Sequence, residues 1–272
     1  RRECITLQKR INVIRFGLLT VGILFLFNPD VNLIDVLPDC IGYLCICFAI
    51  ARAADLCGEL ADAHAEFRRL FWITLSKLPA WLIATLITAR SVGEETILLS
   101  LTFVYAVAET VFGIRAFTRL FAGLTYLGTR YDGGEFLYKI PARPKKLRGS
   151  DGPTVVLRSR SLGGLTTLSC AFVIFKSVFC VLPELSLLSN YDSLGFVTPD
   201  SAVLYRYRPL LIGMSCVLVL VCGLIWLCRM LGYVRHIRKN TAFWDSLSAI
   251  YRETVLPKTG IFVMRRVHVF MI

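Results

Sequence analysis

The class of fold is decided by one stretch, Leu210–Cys228, which reads LLIGMSCVLVLVCGLIWLC. It carries no charged side chain, and its length is close to the ~20 residues that a helix needs to cross a bilayer. Two further stretches, 97–114 and Leu162–Leu182, are of similar length and are also strongly apolar. The chain is 56% hydrophobic, with a mean hydropathy of +0.63. A soluble fold of this size has too little interior to bury so much apolar helix, so we predict an integral membrane protein.

The apolar segments divide residues 1–239 into a predicted all-α bundle of six transmembrane helices. The six predicted spans cover residues 11–27, 40–54, 71–88, 97–114, 162–182 and 210–231. A basic cytoplasmic loop at 115–161 joins the fourth span to the fifth, and a cytoplasmic amphipathic tail at 240–272 follows the last span. The apolar face of this tail is expected to lie on a membrane surface or on another helix. It is formed by Phe243, Trp244, Leu247, Ile250 and Tyr251.

Positive charge is distributed unevenly around these spans. Of the 31 lysines and arginines, 26 lie in or beside the N-terminus, the second loop, the fourth loop and the tail. The other three loops hold three, and the remaining two, Lys77 and Lys176, lie within spans. Cytoplasmic loops of membrane proteins carry such an excess, so we predict that both termini are cytoplasmic. This distribution accounts for the net charge of +12, and it makes anionic lipid headgroups, rather than nucleic acid, the expected partners.

The second span is short, and a re-entrant hairpin that contains the first two spans is the alternative interpretation. Two full spans are preferred, because a hairpin is expected to place the first loop inside and to spoil the alternation of charge. No cleavable signal peptide is expected, since 11–27 is long enough to span and lacks a small-residue cleavage site. The chain begins without Met and ends on an apolar run, so we expect residues to be missing at one or both ends.

The loop between the first two spans has the most distinctive sequence in the chain, and it reads NPDVNLIDVLPD at Asn28–Asp39. It holds three aspartates and no basic residue. Asp39 follows a proline and is placed to cap the N-terminus of the second span, where its carboxylate meets the positive end of the helix dipole. In the functional alternative, Asp35 and Asp39 belong to a carboxylate cluster that attracts cations or cationic ligands to the mouth of a pore or cavity.

This loop and the start of the second span resemble uncharacterised multi-pass membrane proteins of Clostridia-type bacteria. Those proteins carry the pattern Asp-x-Leu-Pro-Asp-x-x-Gly-Tyr just before a span. The matching positions here are Asp35, Leu37, Pro38, Asp39, Gly42 and Tyr43. The resemblance covers residues 28–54 and implies a protein of the bacterial cytoplasmic membrane, but it carries no known activity with it.

Ionisable residues within the predicted spans are the strongest candidates for a functional site, because each costs ~3 kcal/mol to insert. Lys77 and Glu109 both lie about 9 Å from the inner boundary of adjacent spans, so we predict that they form an ion pair. Lys176 lies deeper, and its expected partners are backbone carbonyls, water, Asp35 or Asp39. Lys77 either belongs to a structural pair or snorkels, or else its pair with Glu109 couples a proton or substrate. If Lys176 is unpaired and lines a wet cavity, it suits an anionic ligand or a lipid headgroup.

Four acids between the second and third spans follow a helical spacing. They are Asp55, Glu59, Asp62 and Glu66. Carboxylates alone, stacked along one helix, make a poor closed metal site, and no metal is expected. The acids form either a solvated face or a docking surface for basic residues of the fourth loop, which are also expected to bind anionic lipids or a protein partner. Those basic residues are Arg143, Lys145, Lys146 and Arg148.

Catalytic motifs are absent from the sequence. Its histidines, His64, His236 and His268, have no zinc spacing, and there is no nucleophile elbow, Walker loop or dinucleotide-binding pattern. We therefore expect no cofactor, and an enzyme that acts on lipid-linked substrates is the least favoured class. The ten cysteines are scattered as packing residues. Only Cys40 and Cys180 fall near the outer surface, where a disulfide could join them.

Two functional hypotheses remain. The first is transport, by a small carrier, channel or transport subunit with a polar cavity lined by Lys77, Glu109 and Lys176. The second is a non-catalytic scaffold or accessory subunit whose cytoplasmic face docks a partner protein, a second copy or anionic lipids. Transport predicts water around the intramembrane lysines, whereas a scaffold predicts that they are dry.

Overall fold

The computed structural model describes residues 12–31, 34–35, 37–88, 95–131, 162–185 and 207–255. Helices make up nearly all of this part of the chain, as the sequence predicts. They are α1 (Phe16–Leu26), α2 (Asp39–Ile50), α3 (Gly58–Thr88), α4 (Glu95–Arg130), α5 (Gly163–Val181), α6 (Arg208–Lys239) and α7 (Thr241–Thr254). A short antiparallel hairpin of β1 (Asp30–Val31) and β2 (Ile34–Asp35) separates α1 from α2. A 3-10 turn at Ala53–Asp55 separates α2 from α3.

Three of the described helical segments are long and apolar enough to cross a membrane. They are Leu99–Arg130, Gly163–Leu185 and Arg208–Lys239. Each one exposes large apolar side chains, such as Val104 at 61%, Val178 at 53% and Val217 at 60%. A water-soluble surface rarely tolerates such a continuous apolar face, whereas lipid tails favour it. The chain is therefore a membrane protein, as predicted.

Helices α3 and α4 form a long antiparallel pair that extends beyond the apolar segments predicted from the sequence. α3 begins at Gly58, within the predicted second loop, and α4 continues to Arg130, within the predicted fourth loop. The two helices approach closely at Gly123, where a Cβ atom would lie 2.5 Å from Cγ of Leu60. The first part of α3 and the last part of α4 therefore form a helical extension. This extension places charged side chains next to the apolar parts of the same helices.

Helices α1 and α2 are much shorter than the predicted spans 11–27 and 40–54. They contain 11 and 12 residues, which correspond to about 16 and 18 Å of helix. The hydrocarbon core of a bilayer is about 30 Å thick. The two helices pack through glycines, since a Cβ atom on Gly22 would lie 2.8 Å from the carbonyl oxygen of Gly42. α1 and α2 thus form a tight helical hairpin that is about half as long as a membrane is thick.

Contacts with α6 show how far this α1–α2 hairpin extends along the bundle. At its tip, the carbonyl oxygen of Phe27 lies 2.6 Å from the position that a Cβ atom on Gly223 would occupy. Gly223 is about 22 Å along α6 from Arg208. At its base, the ring of Phe16 lies 5.1 Å from that of Trp244 in α7. The hairpin therefore runs beside the C-terminal half of α6, and its tip ends part-way along the bundle.

Part of the predicted amphipathic tail at 240–272 forms helix α7, which packs against the protein, and residues 256–272 of that tail lie outside the described residues. Asn240 caps its N-terminus by accepting a hydrogen bond from the backbone N–H of Phe243. The buried face carries four of the five predicted apolar residues, Phe243, Trp244, Leu247 and Tyr251. The Tyr251 hydroxyl donates a 2.9 Å hydrogen bond to Asp55. These contacts place the start of α1, the turn before α3 and the C-terminal helix at one end of the bundle.

The close contact between α1 and α2 predicts a specific sensitivity to substitution. Gly22→Ala should lower the free energy of unfolding by about 1–3 kcal/mol, because the new methyl group would overlap Ile46 and the backbone of α2. Gly17→Ala, on the open side of the same helix, is the control and should be neutral or slightly stabilising. Unfolding in detergent, followed by tryptophan fluorescence, measures both. Equal melting temperatures for the two variants would contradict the packing described.

Candidate functional site

A buried ion pair joins α3 to α4 within their apolar halves. Nζ of Lys77 lies 2.5 Å from Oε1 of Glu109, and the two residues are only 4% and 6% exposed. The predicted pair between these residues is thus confirmed. Pro79 follows Lys77 in the interior of α3. Because proline has no backbone N–H, the helix lacks one of its hydrogen bonds next to this pair.

A second buried ion pair joins the tip of the α1–α2 hairpin to α5. Lys176 Nζ donates to Oδ2 of Asp39 at 2.5 Å, and Asp39 is 1% exposed. This confirms Asp39 as one of the partners considered for Lys176. The predicted capping role of Asp39 is wrong, because Pro38 occupies the N-cap position and Asp39 is the first residue of α2. Its carboxylate is turned towards the lysine instead, although it still lies at the positive end of the helix dipole.

The two ion pairs meet around one tyrosine. Tyr43 follows Asp39 by one helical turn and is 5% exposed. Its hydroxyl lies within electrostatic range of Asp39, Glu109, Lys176 and Lys77. We refer to these five residues as the charge cluster. Its four charged groups come from four different helices, and they sum to zero when all are ionised.

A small cavity adjoins the charge cluster. Its volume is about 20 Å³, and Glu109, Lys176, Tyr43 and Ser177 contribute to its wall. A volume of about 10–15 Å³ is enough for one water molecule. The cavity thus has room for about one water between the two ion pairs, and none for an organic substrate in this conformation.

Three aromatic side chains close the cavity on the side that faces the α7 end of the bundle. Phe172 stacks on Trp226 with ring centroids 4.7 Å apart, and Phe117 meets Trp226 edge to face at 6.0 Å. The indole N–H of Trp226 donates a 2.9 Å hydrogen bond to Ser169, which fixes the ring. We call Phe117, Phe172 and Trp226 the aromatic layer. It separates the charge cluster from the half of the bundle that is nearer to α7.

The loop before α2 is held in place by a buried asparagine. Asn28 is 2% exposed, and its side-chain amide donates a 3.0 Å hydrogen bond to the carbonyl of Leu37. This bond closes the loop and sets the position from which Asp39 begins α2. The backbone of Asp35 lies in β2, but its side chain is outside the described part of the structure. Its predicted role in the carboxylate cluster therefore stays a prediction.

One buried ion pair was missed by reasoning from the sequence. Arg208 Nη2 lies 2.9 Å from Oε2 of Glu184, and Glu184 is fully buried. The pair joins the turn that follows α5 to the first residue of α6, at the end of the bundle opposite α7. An acid just after one apolar span and an arginine just before the next is the sequence signal that could have indicated it.

The four acids of α3 and the turn before it have separate partners. Asp55 accepts from Tyr251, Glu66 pairs with Arg69 at 2.8 Å, and Asp62 lies 3.7 Å from Arg119. Burial raises the pKa of the Cys57 thiol, which stays protonated and donates to Glu59. The basic residues predicted to dock here lie outside the described residues. They are Arg143, Lys145, Lys146 and Arg148.

Metal ligation and disulfide bonding add nothing to the site. Within the described ranges, no group of three His, Cys, Asp or Glu residues could hold a metal ion. Cys40 and Cys180 are both present as thiols. The charge cluster is therefore the principal concentration of buried chemistry in the described part of the chain.

No protein-family model, curated protein or solved structure matches this chain.

The pairing of Lys77 with Glu109 predicts strong coupling between them. Lys77→Ala or Glu109→Ala alone should cost about 3–5 kcal/mol of stability, because each leaves an uncompensated charge in a low-dielectric interior. The double variant should cost less than the sum of the two. Exchanging the exposed pair Asp62 and Arg119 for alanine provides the control, with an expected effect below about 1 kcal/mol. Thermal unfolding in detergent measures all of these variants, and additive losses for the buried pair would contradict the coupling.

Proposed function

We propose that the chain is a small membrane transporter or transport subunit, and that the charge cluster is its coupling site. The observation that supports this most strongly is the position of Asp39 at the end of a short helix, paired with a lysine from a long apolar helix. In transporters, the ends of interrupted helices meet at ion and substrate sites near the bilayer midplane. Ionisable groups at that depth are expensive, so they are usually retained for a function.

The proposed topology has four spans, formed by α3, α4, α5 and α6, together with a re-entrant hairpin formed by α1 and α2. Six spans would need α1 and α2 to be nearly twice as long. The hairpin starts and ends at the α7 end of the bundle, so it leaves the alternation of basic charge in the later loops unchanged. Under the positive-inside rule this end is cytoplasmic, with both termini inside. The resemblance of residues 28–54 to multi-pass proteins of Clostridia-type bacteria implies that the membrane is a bacterial cytoplasmic membrane.

The charge cluster can change its net charge in a simple way. If a proton or a cation neutralises Asp39 or Glu109, two ammonium groups face one remaining carboxylate. The cluster then carries one net positive charge, which favours an anionic ligand and weakens one of the two ion pairs. Pro79 lies beside Lys77 where a hydrogen bond of α3 is absent, so this helix can bend when its pair is released. Cation or proton entry would thus be coupled to anion binding.

The alternative function is a non-catalytic scaffold or accessory subunit, and the small cavity favours it. With room for about one water, the charge cluster could serve only to fix the α1–α2 hairpin against α5. Docking of a partner protein or of lipid at the α7 end would then be the main activity. The two functions differ in whether water reaches the cluster.

Cysteine labelling separates the two functions. In a variant whose ten native cysteines are replaced by serine or alanine, Ser177→Cys places a thiol on the cavity wall. Val178→Cys, which is exposed on the lipid-facing side, is the matched control. Methanethiosulfonate reagents react with thiolates in water, so transport predicts modification at position 177 and very slow modification at 178.

The labelling result has two clear outcomes. Reaction at position 177 that is much faster than at 178 supports a water-accessible site. If both positions stay unmodified over the same period, while an exposed position such as Asp62→Cys reacts fully, the transport proposal is wrong and the scaffold is favoured. The melting temperature of each variant establishes that its fold is intact.

A further inference from the structure

A charged groove lies between α3 and α4 on the surface of the bundle, away from the charge cluster. Its volume is about 380 Å³, and it is lined by Asp62, Ala65, Glu66, Arg69, Arg115 and Arg119. Its walls are the helical extensions of α3 and α4 described above. Three guanidinium groups and two carboxylates line it, so it carries a net charge of about +1.

The groove opens where the bundle surface changes from charged to apolar. Arg69 precedes Trp72 by one turn of α3, and Trp72 is 52% exposed. Arg115 follows Val111 by one turn of α4, and Val111 is 43% exposed. Tryptophan is enriched at the level of lipid headgroups. The arginines of the groove therefore lie at headgroup depth, next to a surface that acyl chains can cover.

The pairing inside the groove orients the arginines without neutralising all of them. Glu66 holds the Arg69 guanidinium at 2.8 Å, whereas Asp62 lies 3.7 Å from that of Arg119. The second pair is more than half exposed on both sides, and such pairs contribute little stability. Arg115 is exposed and pairs with no carboxylate among the residues that the structure describes. Arg115 and Arg119 can thus turn towards an incoming anion at small cost.

We propose that this groove binds the phosphodiester of an anionic lipid headgroup, in the leaflet at the α7 end of the bundle. Guanidinium groups present paired N–H donors that match two phosphate oxygens. The net charge of about +1 suits a monoanionic headgroup better than a polyanion. A soluble phosphate would gain nothing from the adjoining apolar surface, whereas a lipid buries its chains there. This site is separate from the proposed transport site and does not depend on it.

Native mass spectrometry of the purified protein tests this site directly. The protein in detergent is titrated with phosphatidylglycerol or with phosphatidylcholine, and the dissociation constant of the first bound lipid is measured. Wild type should retain phosphatidylglycerol in preference to phosphatidylcholine. The variant Arg115→Gln/Arg119→Gln should bind phosphatidylglycerol about thirtyfold more weakly.

The control is Arg235→Gln/Arg238→Gln, which removes two exposed arginines from the end of α6 and should retain the lipid affinity of wild type. The proposal would be overturned if the groove variant bound phosphatidylglycerol as well as wild type does. It would also be overturned if the control lost as much affinity as the groove variant, or if wild type bound both lipids equally. Displacement of phosphatidylglycerol by inorganic phosphate at equal concentration would also overturn it, since it would indicate a soluble phosphate site. Unchanged melting temperatures without lipid establish that both variants are folded.

Discussion

The ion pair between Asp39 and Lys176 is the interaction on which the arrangement of this protein depends. A lysine in the middle of an apolar helix needs a partner, because its charge is costly in a low-dielectric interior. Here the partner is the first residue of α2, which is 1% exposed. The pair therefore anchors the tip of the α1–α2 hairpin part-way along α5 and α6. The glycine contact between α1 and α2 and the packing of α7 against the hairpin base stabilise the same position.

The second ion pair gives this anchor its chemical character. Because Lys77 and Glu109 lie close to the first pair around Tyr43, a change in the charge of one carboxylate is felt by both lysines. The aromatic layer separates the charge cluster from the half of the bundle that is nearer to α7, where the local dielectric would be higher. A neutral, enclosed set of two ion pairs with room for about one water suits a site that is occluded between two accessible states. It is also compatible with a purely structural anchor, and water access is the property that distinguishes the two.

Parts of this arrangement follow from the sequence, and others do not. The Lys77–Glu109 pair is predictable because helical rise converts sequence spacing into depth, and the two spans are joined by a short loop. The lengths of α1 and α2 cannot be predicted in this way, because a sequence does not distinguish apolar residues that are buried against other helices from apolar residues that face lipid. Charge alternation does not distinguish a re-entrant hairpin from two spans, since both return the chain to the same side. The partners of α7 and the Glu184–Arg208 pair depend on contacts between distant segments, which hydrophobic periodicity does not specify.

The depth of the hairpin tip is the property that tests the proposed arrangement most directly. A spin label at Leu37→Cys, in the cysteine-replaced protein reconstituted in nanodiscs, reports collisions with oxygen, which dissolves in the membrane, and with a nickel chelate, which stays in water. We expect high accessibility to oxygen and low accessibility to the chelate, because the proposed re-entrant topology, with Asp39 paired to Lys176, places the tip within the membrane. We also expect that Lys176→Met increases the mobility of the label. A label that collides freely with the nickel chelate in the protein with Lys176 intact would place the loop in water and contradict the account.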